Sequence, residues 1–230
     1  MKKTILVVGF GPGISKAVAE KFGASGFSVG LVARSKEKLA GGVKELEAKG
    51  ITAAAFPTDA GDPAALRATV AKARAELGPI TAIHWNAYGG GDAGDLLTAG
   101  AATLHGIFDI AVVGLLAAVQ EALPDLKAAK DGAVLVTNGA FGDLSPQMDE
   151  MAVQMKAMGL ALANATKHKL VGLLAQRLKA EGVYVGEIMV AGTVKGSAWD
   201  QGQANLEGPA IADKFWELYQ ARAAVRARVS

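Results

Sequence analysis

Ile5-Leu6-Val7-Val8 running into Gly9-Phe10-Gly11-Pro12-Gly13-Ile14 decides the fold of this chain. The apolar run reads as a buried strand, the glycines as a tight turn, and Ser15 to Ala24 as the helix that leaves it. Glycine adopts positive φ readily and lacks the Cβ that would hold a ligand away from the backbone. A helix that starts directly after such a turn presents free N–H groups and the positive end of its dipole, which suits a pyrophosphate. An ordinary βα turn uses the same residue types; the strand before and the helix after favour a dinucleotide site.

Outward from that turn, strands and helices alternate. Short, apolar, β-branched segments predict strands over Thr4–Gly9, Ser28–Ala33, Ala53–Phe56, Ile80–Trp85, Ala133–Asn138 and Val183–Val190. Amphipathic stretches predict helices over Ser15–Ala24, Lys36–Lys49, Asp62–Leu77 and Ala101–Leu126, and one long helix over Glu150–Glu181. Repeated βαβ units cross over right-handedly, so an α/β fold is expected. It is a Rossmann-type doubly wound parallel sheet of six strands, order 3-2-1-4-5-6, with helices on both faces. A polar, glycine-rich segment 192–208 then leads to one short C-terminal helix, with no evident seventh strand. Loops at the carboxyl ends of such strands carry the ligand site, which makes 192–208 a candidate lid. Trp199 and Asp200 are its candidate substrate contacts, although Trp199 is equally suited to pack under its own loop. No linker or internal repeat divides the chain, so residues 1–230 read as a single domain.

Composition excludes several functions. Lys and Arg number 24 against 22 Asp and Glu, a net charge of +2 that is too balanced for a nucleic-acid or membrane-surface binder. Arg222, Arg226 and Arg228 read as the solvated face and end of the last helix. The absence of cysteine removes disulfides, thiolate catalysis and Cys-ligated metals. His84, His105 and His168 lie far apart without metal-ligand spacing, so no metal site is expected. Met1-Lys2-Lys3 mimics the start of a signal peptide, but the apolar run after it passes straight into the glycine turn. The longest apolar helical stretch, Ile110 to Val119, falls short of a membrane span, and a soluble, cytoplasmic protein is expected.

The end of the second strand bears on the dinucleotide. In folds of this kind an acidic residue there binds the adenosine ribose hydroxyls of NAD. This strand ends in Val32-Ala33-Arg34-Ser35. A guanidinium beside a hydroxyl suits the 2′-phosphate of NADP, so NADPH is expected over NADH; the alternative is a solvent-facing Arg before a helix. Asp59, just past the third strand, is placed either to reach the adenine edge or to cap the helix that begins near Asp62.

These motifs resemble those of the short-chain dehydrogenase/reductase family. Its Gly-x-x-x-Gly-Ile-Gly turn is matched by Gly9, Gly13 and Ile14, with Ser15 replacing the last glycine. Its Asn-Asn-Ala-Gly is similar to Trp85-Asn86-Ala87-Tyr88, and its Pro-Gly to Ala191-Gly192. The resemblance runs from Met1 to about Ser197. It implies Gly9, Pro12, Gly13 and Ile14 on the pyrophosphate side, Arg34 and Ser35 by the adenosine phosphate, and Asp59 and Ala60 by adenine. Asn86, Ala87 and Tyr88 would pass near the adenosine ribose. Thr137 to Gly139, with Gly192, Thr193 and Val194, would flank the nicotinamide. The helices Ala101–Leu126 and Glu150–Glu181 resemble the pair through which the family self-associates, implying a homodimer or homotetramer.

The family's chemistry rests on Asn, Ser, Tyr and Lys: the Lys lowers the Tyr pKa, the phenol passes a proton, and the Ser polarises a carbonyl. Here Ala111 stands at the Asn position and Gly139 at the Ser position, and the three tyrosines, Tyr88, Tyr184 and Tyr219, form no Tyr-x-x-x-Lys. Spacing from the fifth strand selects Lys156 for the Lys position, with Ala152 in the Tyr place. The run Lys167-His168-Lys169-Leu170-Val171-Gly172-Leu173 resembles the family's Lys-x-x-Leu-x-Gly-Leu more closely. It favours Lys167, with Ala163 in the Tyr place and an insertion around Leu144–Met158. A lysine there would bond the nicotinamide-ribose hydroxyls; the alternative is a surface helix lysine. Tyr88, in the run Asn86 to Gly91, is a candidate replacement phenol, and Asn138 a candidate donor to a substrate carbonyl. Met148, Met151, Met155 and Met158 recur at helical spacing, suited to an adaptable apolar pocket or to core and subunit packing.

Two functions remain. One is an atypical NADP-dependent oxidoreductase acting on a small, apolar carbonyl or conjugated substrate without the Ser-Tyr-Lys mechanism. The other is a catalytically inactive NADP-binding sensor or partner subunit, favoured by the joint loss of Asn, Ser and Tyr.

Overall fold

The computed structural model describes residues 2–89 and 93–230. Seven parallel strands form one sheet in the order β3-β2-β1-β4-β5-β6-β7. They are β1 (Lys3–Val8), β2 (Phe27–Ala33), β3 (Ala53–Pro57), β4 (Ile80–Trp85), β5 (Ala133–Gly139), β6 (Tyr184–Val190) and β7 (Arg226–Val229). The doubly wound order expected for the first six holds. The helices are α1 (Ile14–Ala24), α2 (Lys36–Glu47), α3 (Pro63–Leu77), α4 (Ala101–Phe108), α5 (Leu115–Ala128), α6 (Pro146–Gln154), α7 (Met158–Lys179) and α8 (Gly208–Ala221).

Strand residues alternate between two apolar layers, as period-two geometry requires. Ile5, Val7, Val29, Leu31 and Leu135 meet α1, α2 and α8 through Val18, Phe22, Leu39, Ile211 and Phe215. Leu6, Val8, Ile83, Val134 and Val136 meet α3, α5 and α7 through Leu66, Val70, Leu115, Ala118 and Val171. Each large side chain buried this way stabilises the fold by about 1.5–3 kcal/mol.

Three elements differ from expectation. The C-terminal arginines do not continue a helix: α8 stops at Ala221, Arg222 turns left-handed at φ 50°, and Arg226-Ala227-Arg228-Val229 forms a seventh strand beside β6. Charged and apolar residues alternate there, and Ala227 and Val229 pack on the α8 layer, which is the pattern of an edge strand. The long helix over Glu150–Glu181 is two, divided at Lys156, whose φ of 51° breaks helical geometry. The amide of Gly159 then donates to Ala93 O at 2.8 Å, tying the start of α7 to the segment after β4. Finally, α4 and α5 are joined by a π-helical turn, Asp109–Gly114, into a run Ala101–Ala128 long and apolar enough by length and composition to cross a membrane. In this fold its residues Leu115, Ala118, Val119, Ala122 and Leu126 are buried against the sheet.

Candidate active site

The glycine turn between β1 and α1 is built by close approach. Gly9 (φ +85°) lies so near the backbone of Asn86 and Ala87 that a Cβ would collide with it, and its carbonyl accepts from Asn86 Nδ2 at 3.3 Å. Gly13 also takes φ +85°. Ser15, at the position of the missing third glycine, is fully buried; its hydroxyl accepts from the Gly11 amide at 2.9 Å and donates to Gly11 O at 3.0 Å. The turn is therefore closed by a side chain instead of by glycine alone. Helix α1 has no side-chain cap and no acidic residue in its first turn, with Pro12 exposed and Ile14 half-buried at its start. Space at Gly11 is open. An uncapped helix start beside an open glycine turn fits an anionic diphosphate.

Beyond β2, Arg34 is exposed and has no ion-pair partner among the described residues. Ser35 is already engaged: its hydroxyl accepts from the Lys38 amide at 3.2 Å as the N-cap of α2 and donates to Glu37 Oε2 at 3.0 Å. Bonds from its own amide and from Ser35 hold the Glu37 carboxyl below its usual range. Arg34 alone of the expected pair is thus free to meet a phosphate. Asp59 accepts from the Gly61 amide at 2.9 Å and closes its own turn, while Asp62 caps α3 through the Ala64 and Ala65 amides. Ala60, in the same turn, presses its carbonyl against Gly114 of the π-helical turn, where no Cβ would fit.

Asn86 is half-buried and Ala87 buried at the end of β4. Thr137 Oγ1 lies 2.9 Å from Nε2 of His84, an imidazole whose burial lowers its pKa to about 3 and keeps it neutral. Gly192, Thr193 and Val194 open a closed loop. The Thr193 amide donates to Asn205 Oδ1 at 3.0 Å, and Val194 bridges Leu206. Val194 and Ser197 lie against Gly13, so this candidate lid borders the glycine turn. Asp200 is a loop strut and not a free ligand, since its carboxylate accepts from the Gly196 and Gly202 amides, each at 2.8 Å. At the loop tip half-exposed Trp199 meets half-exposed Tyr88, ring centroids 6.1 Å apart. The Tyr88 hydroxyl makes no hydrogen bond among the described residues; Gly90 and Gly91, from the same glycine-rich run, lie outside them.

Helix α7 carries the candidate lysine. Its buried stripe reads Gly159, Ala163, Asn164, Lys167, Val171. Lys167 is 4% exposed, and its ammonium has no hydrogen-bond or ion-pair partner among the described residues. Burial pulls its pKa down to about 8, against the opposing field of Glu187. Lys156 is exposed in the left-handed α6–α7 link, away from that stripe, so the two candidate lysines separate cleanly. Ala163 and Ala111, at the Tyr and Asn positions, share a small apolar cluster with Ala93 and Ile107. Asn138 is not available to a substrate as expected. Its Nδ2 donates to Asn164 O at 3.0 Å and to Glu187 Oε1 at 2.6 Å, and its Oδ1 accepts from the Gly139 amide at 3.1 Å. Of the methionines, Met151 on α6 and Met155 just after it are exposed and line no core.

Two residues of this region escape a reading of the sequence. Glu187 is the only charge in the strand Tyr184–Val190, and a charge inside a central strand is a signal of an internal partner. Asn164 sits one turn before Lys167 in an Ala- and Leu-rich helix, where an amide on the buried stripe is the anomaly.

A family model described as short chain dehydrogenase matches residues 3–198. A short chain dehydrogenase of Pseudocercospora fijiensis is 36% identical over 78 residues, covering 34% of this chain; the match spans only 25% of that protein's length. Solved structures that share the fold include two short-chain oxidoreductases. A metagenomic short-chain oxidoreductase in complex with NADP has a TM-score of 0.80 at 23% identity, covering 99% of this chain and 96% of its own. An NADPH-bound short-chain oxidoreductase from Pseudomonas aeruginosa PAO1, described as containing an atypical catalytic center, has a TM-score of 0.85 at 20% identity, covering 99% and 95%.

Proposed function

This chain belongs to the short-chain dehydrogenase family, and from that premise we propose that it is an NADP(H)-binding oxidoreductase of atypical mechanism, acting on a small, apolar carbonyl or conjugated substrate. When bound, the cofactor supplies the hydride. The glycine turn from Gly9 to Ile14 and the uncapped start of α1 hold its diphosphate, and Arg34 its 2′-phosphate. NADP and NADPH in two fold neighbours support the same choice of cofactor. Thr137, Gly192, Thr193 and Val194 border the reacting end, and Tyr88 with Trp199 shields it from water.

One observation carries the catalytic part. Three of the four mechanism positions have become Ala or Gly, yet the fourth keeps Lys167, nearly buried and without a hydrogen-bond or ion-pair partner among the described residues. A lysine is costly to bury without a partner, so its retention favours a ligand at Nζ. Lys167 Nζ bonds the ribose hydroxyls and holds the proton that reduction of a carbonyl delivers to oxygen; solvent then recharges the amine. A pKa near 8 suits that exchange at neutral pH. Self-association, as a homodimer or homotetramer through α5 and α7, and a cytoplasmic location belong to the same proposal.

The packing of Ala163 and Ala111 with Ala93 favours a second function, a non-catalytic NADP-binding sensor or partner subunit, because the Tyr and Asn positions are both buried in apolar packing. Loss of nicotinamide absorbance separates the two. NADPH is mixed with a panel of small apolar ketones, aldehydes and enones. The enzyme consumes NADPH with at least one of them and loses this in Lys167→Met. NADPH binding without consumption across the panel supports the sensor.

A further inference from the structure

Gly139 and Asn164 share one space at the carboxyl end of β5. A Cβ built on Gly139 falls 2.6 Å from Asn164 Nδ2, so the amide of Asn164 stands where a side chain at position 139 would begin. Position 139 is the one at which the family resemblance places the carbonyl-polarising Ser. Asn164 is 4% exposed, and its backbone carbonyl is engaged by Asn138. Its side-chain amide has no hydrogen-bond partner among the described residues. An amide at a nearly buried position with no protein partner among the described residues keeps its donors open to a ligand. It lies three residues before Lys167 on the same buried stripe, which places a neutral donor and an ammonium side by side on one helix face. The carboxyl ends of parallel strands are where ligands bind in this architecture.

We infer that Asn164 is a further catalytic residue, whose Nδ2–H donates to the substrate carbonyl oxygen in place of the absent Ser hydroxyl. This rests on the proposed function. An amide N–H is a fixed donor that needs no proton rearrangement, so it polarises a carbonyl as a hydroxyl does.

The test uses the full chain loaded with NADP+, which cannot reduce a ketone, and two probes, cyclohexanone and acetophenone. Isotope-edited infrared difference spectra read the carbonyl stretch of each probe, and calorimetry on the same samples reads NADP+ affinity. In the wild type at least one probe moves to lower frequency. The shift is absent in Asn164→Ala and in the isosteric Asn164→Asp, and it returns in Gly139→Ser combined with Asn164→Ala, where the removed amide leaves room for the new side chain. All variants bind NADP+ within about threefold of the wild type. An unchanged shift in Asn164→Ala, or no shift with either probe on NADP+-loaded wild type, overturns the role of Asn164. Wild type that fails to bind NADP+ overturns the proposed function instead.

Discussion

Glu187 Oε1 accepts a hydrogen bond from Asn138 Nδ2 at 2.6 Å inside the sheet, joining neighbouring strands β6 and β5 beneath the buried stripe of α7. The other carboxylate oxygen accepts from His168 Nδ1 at 2.7 Å and from Arg226 Nε at 3.3 Å. One buried carboxylate therefore anchors β5, α7 and the edge strand β7. Removing it takes one acceptor each from the Asn138 amide, the His168 ring and the half-exposed Arg226, which keep other partners or solvent. Glu187→Ala is expected to lower unfolding free energy by about 1–3 kcal/mol, read as a lower midpoint in urea.

Lys167 gives stability a specific pH dependence. Its pKa is about 8 in the folded protein against 10.5 for an ordinary lysine. Below pH 8 both states carry the proton, and burial of the charge costs the folded state in full. Between about pH 8 and 10 the unfolded chain keeps the proton that the folded chain has lost, so this residue's contribution to stability rises with pH. Lys167→Met is expected to be more stable than the wild type near neutral pH, with the gap narrowing toward pH 10. Urea unfolding of both proteins across that range checks it.

Much of this was legible in the chain because it is local. A strand, a glycine turn and a helix lie within residues 3–24, and short-range pattern fixed them. The residues that follow Lys167 favoured it over Lys156, and it is the buried one of the two. What stayed hidden depends on distant partners. Nothing near Asn138 reveals that its amide is taken by Glu187, 49 residues away. Ser35 and Asp59 bond their own turns, a local alternative always open to short polar side chains and indistinguishable in sequence from ligand binding. The edge strand was missed because two arginines in a short tail fit a helix face as readily as one side of a strand.

Tyr88 presents a ring to Trp199 and a hydroxyl that bonds nothing among the described residues. The role proposed for it is shielding of the site. Tyr88→Phe is expected to keep turnover within about twofold, whereas Tyr88→Ala raises KM and changes Trp199 fluorescence. Steady-state kinetics with any substrate found in the carbonyl panel checks both; a large loss of kcat in Tyr88→Phe would return the proton to the phenol.

The central claim is that this glycine turn and Arg34 hold NADPH. Calorimetric titration of the wild type and of Arg34→Ala with NADPH and NADH tests it most directly. The wild type is expected to bind NADPH at least about tenfold more tightly than NADH, and Arg34→Ala to lose that preference while NADH binding stays the same. Equal affinity for both nucleotides in the wild type, or an Arg34→Ala protein that still prefers NADPH, would contradict it.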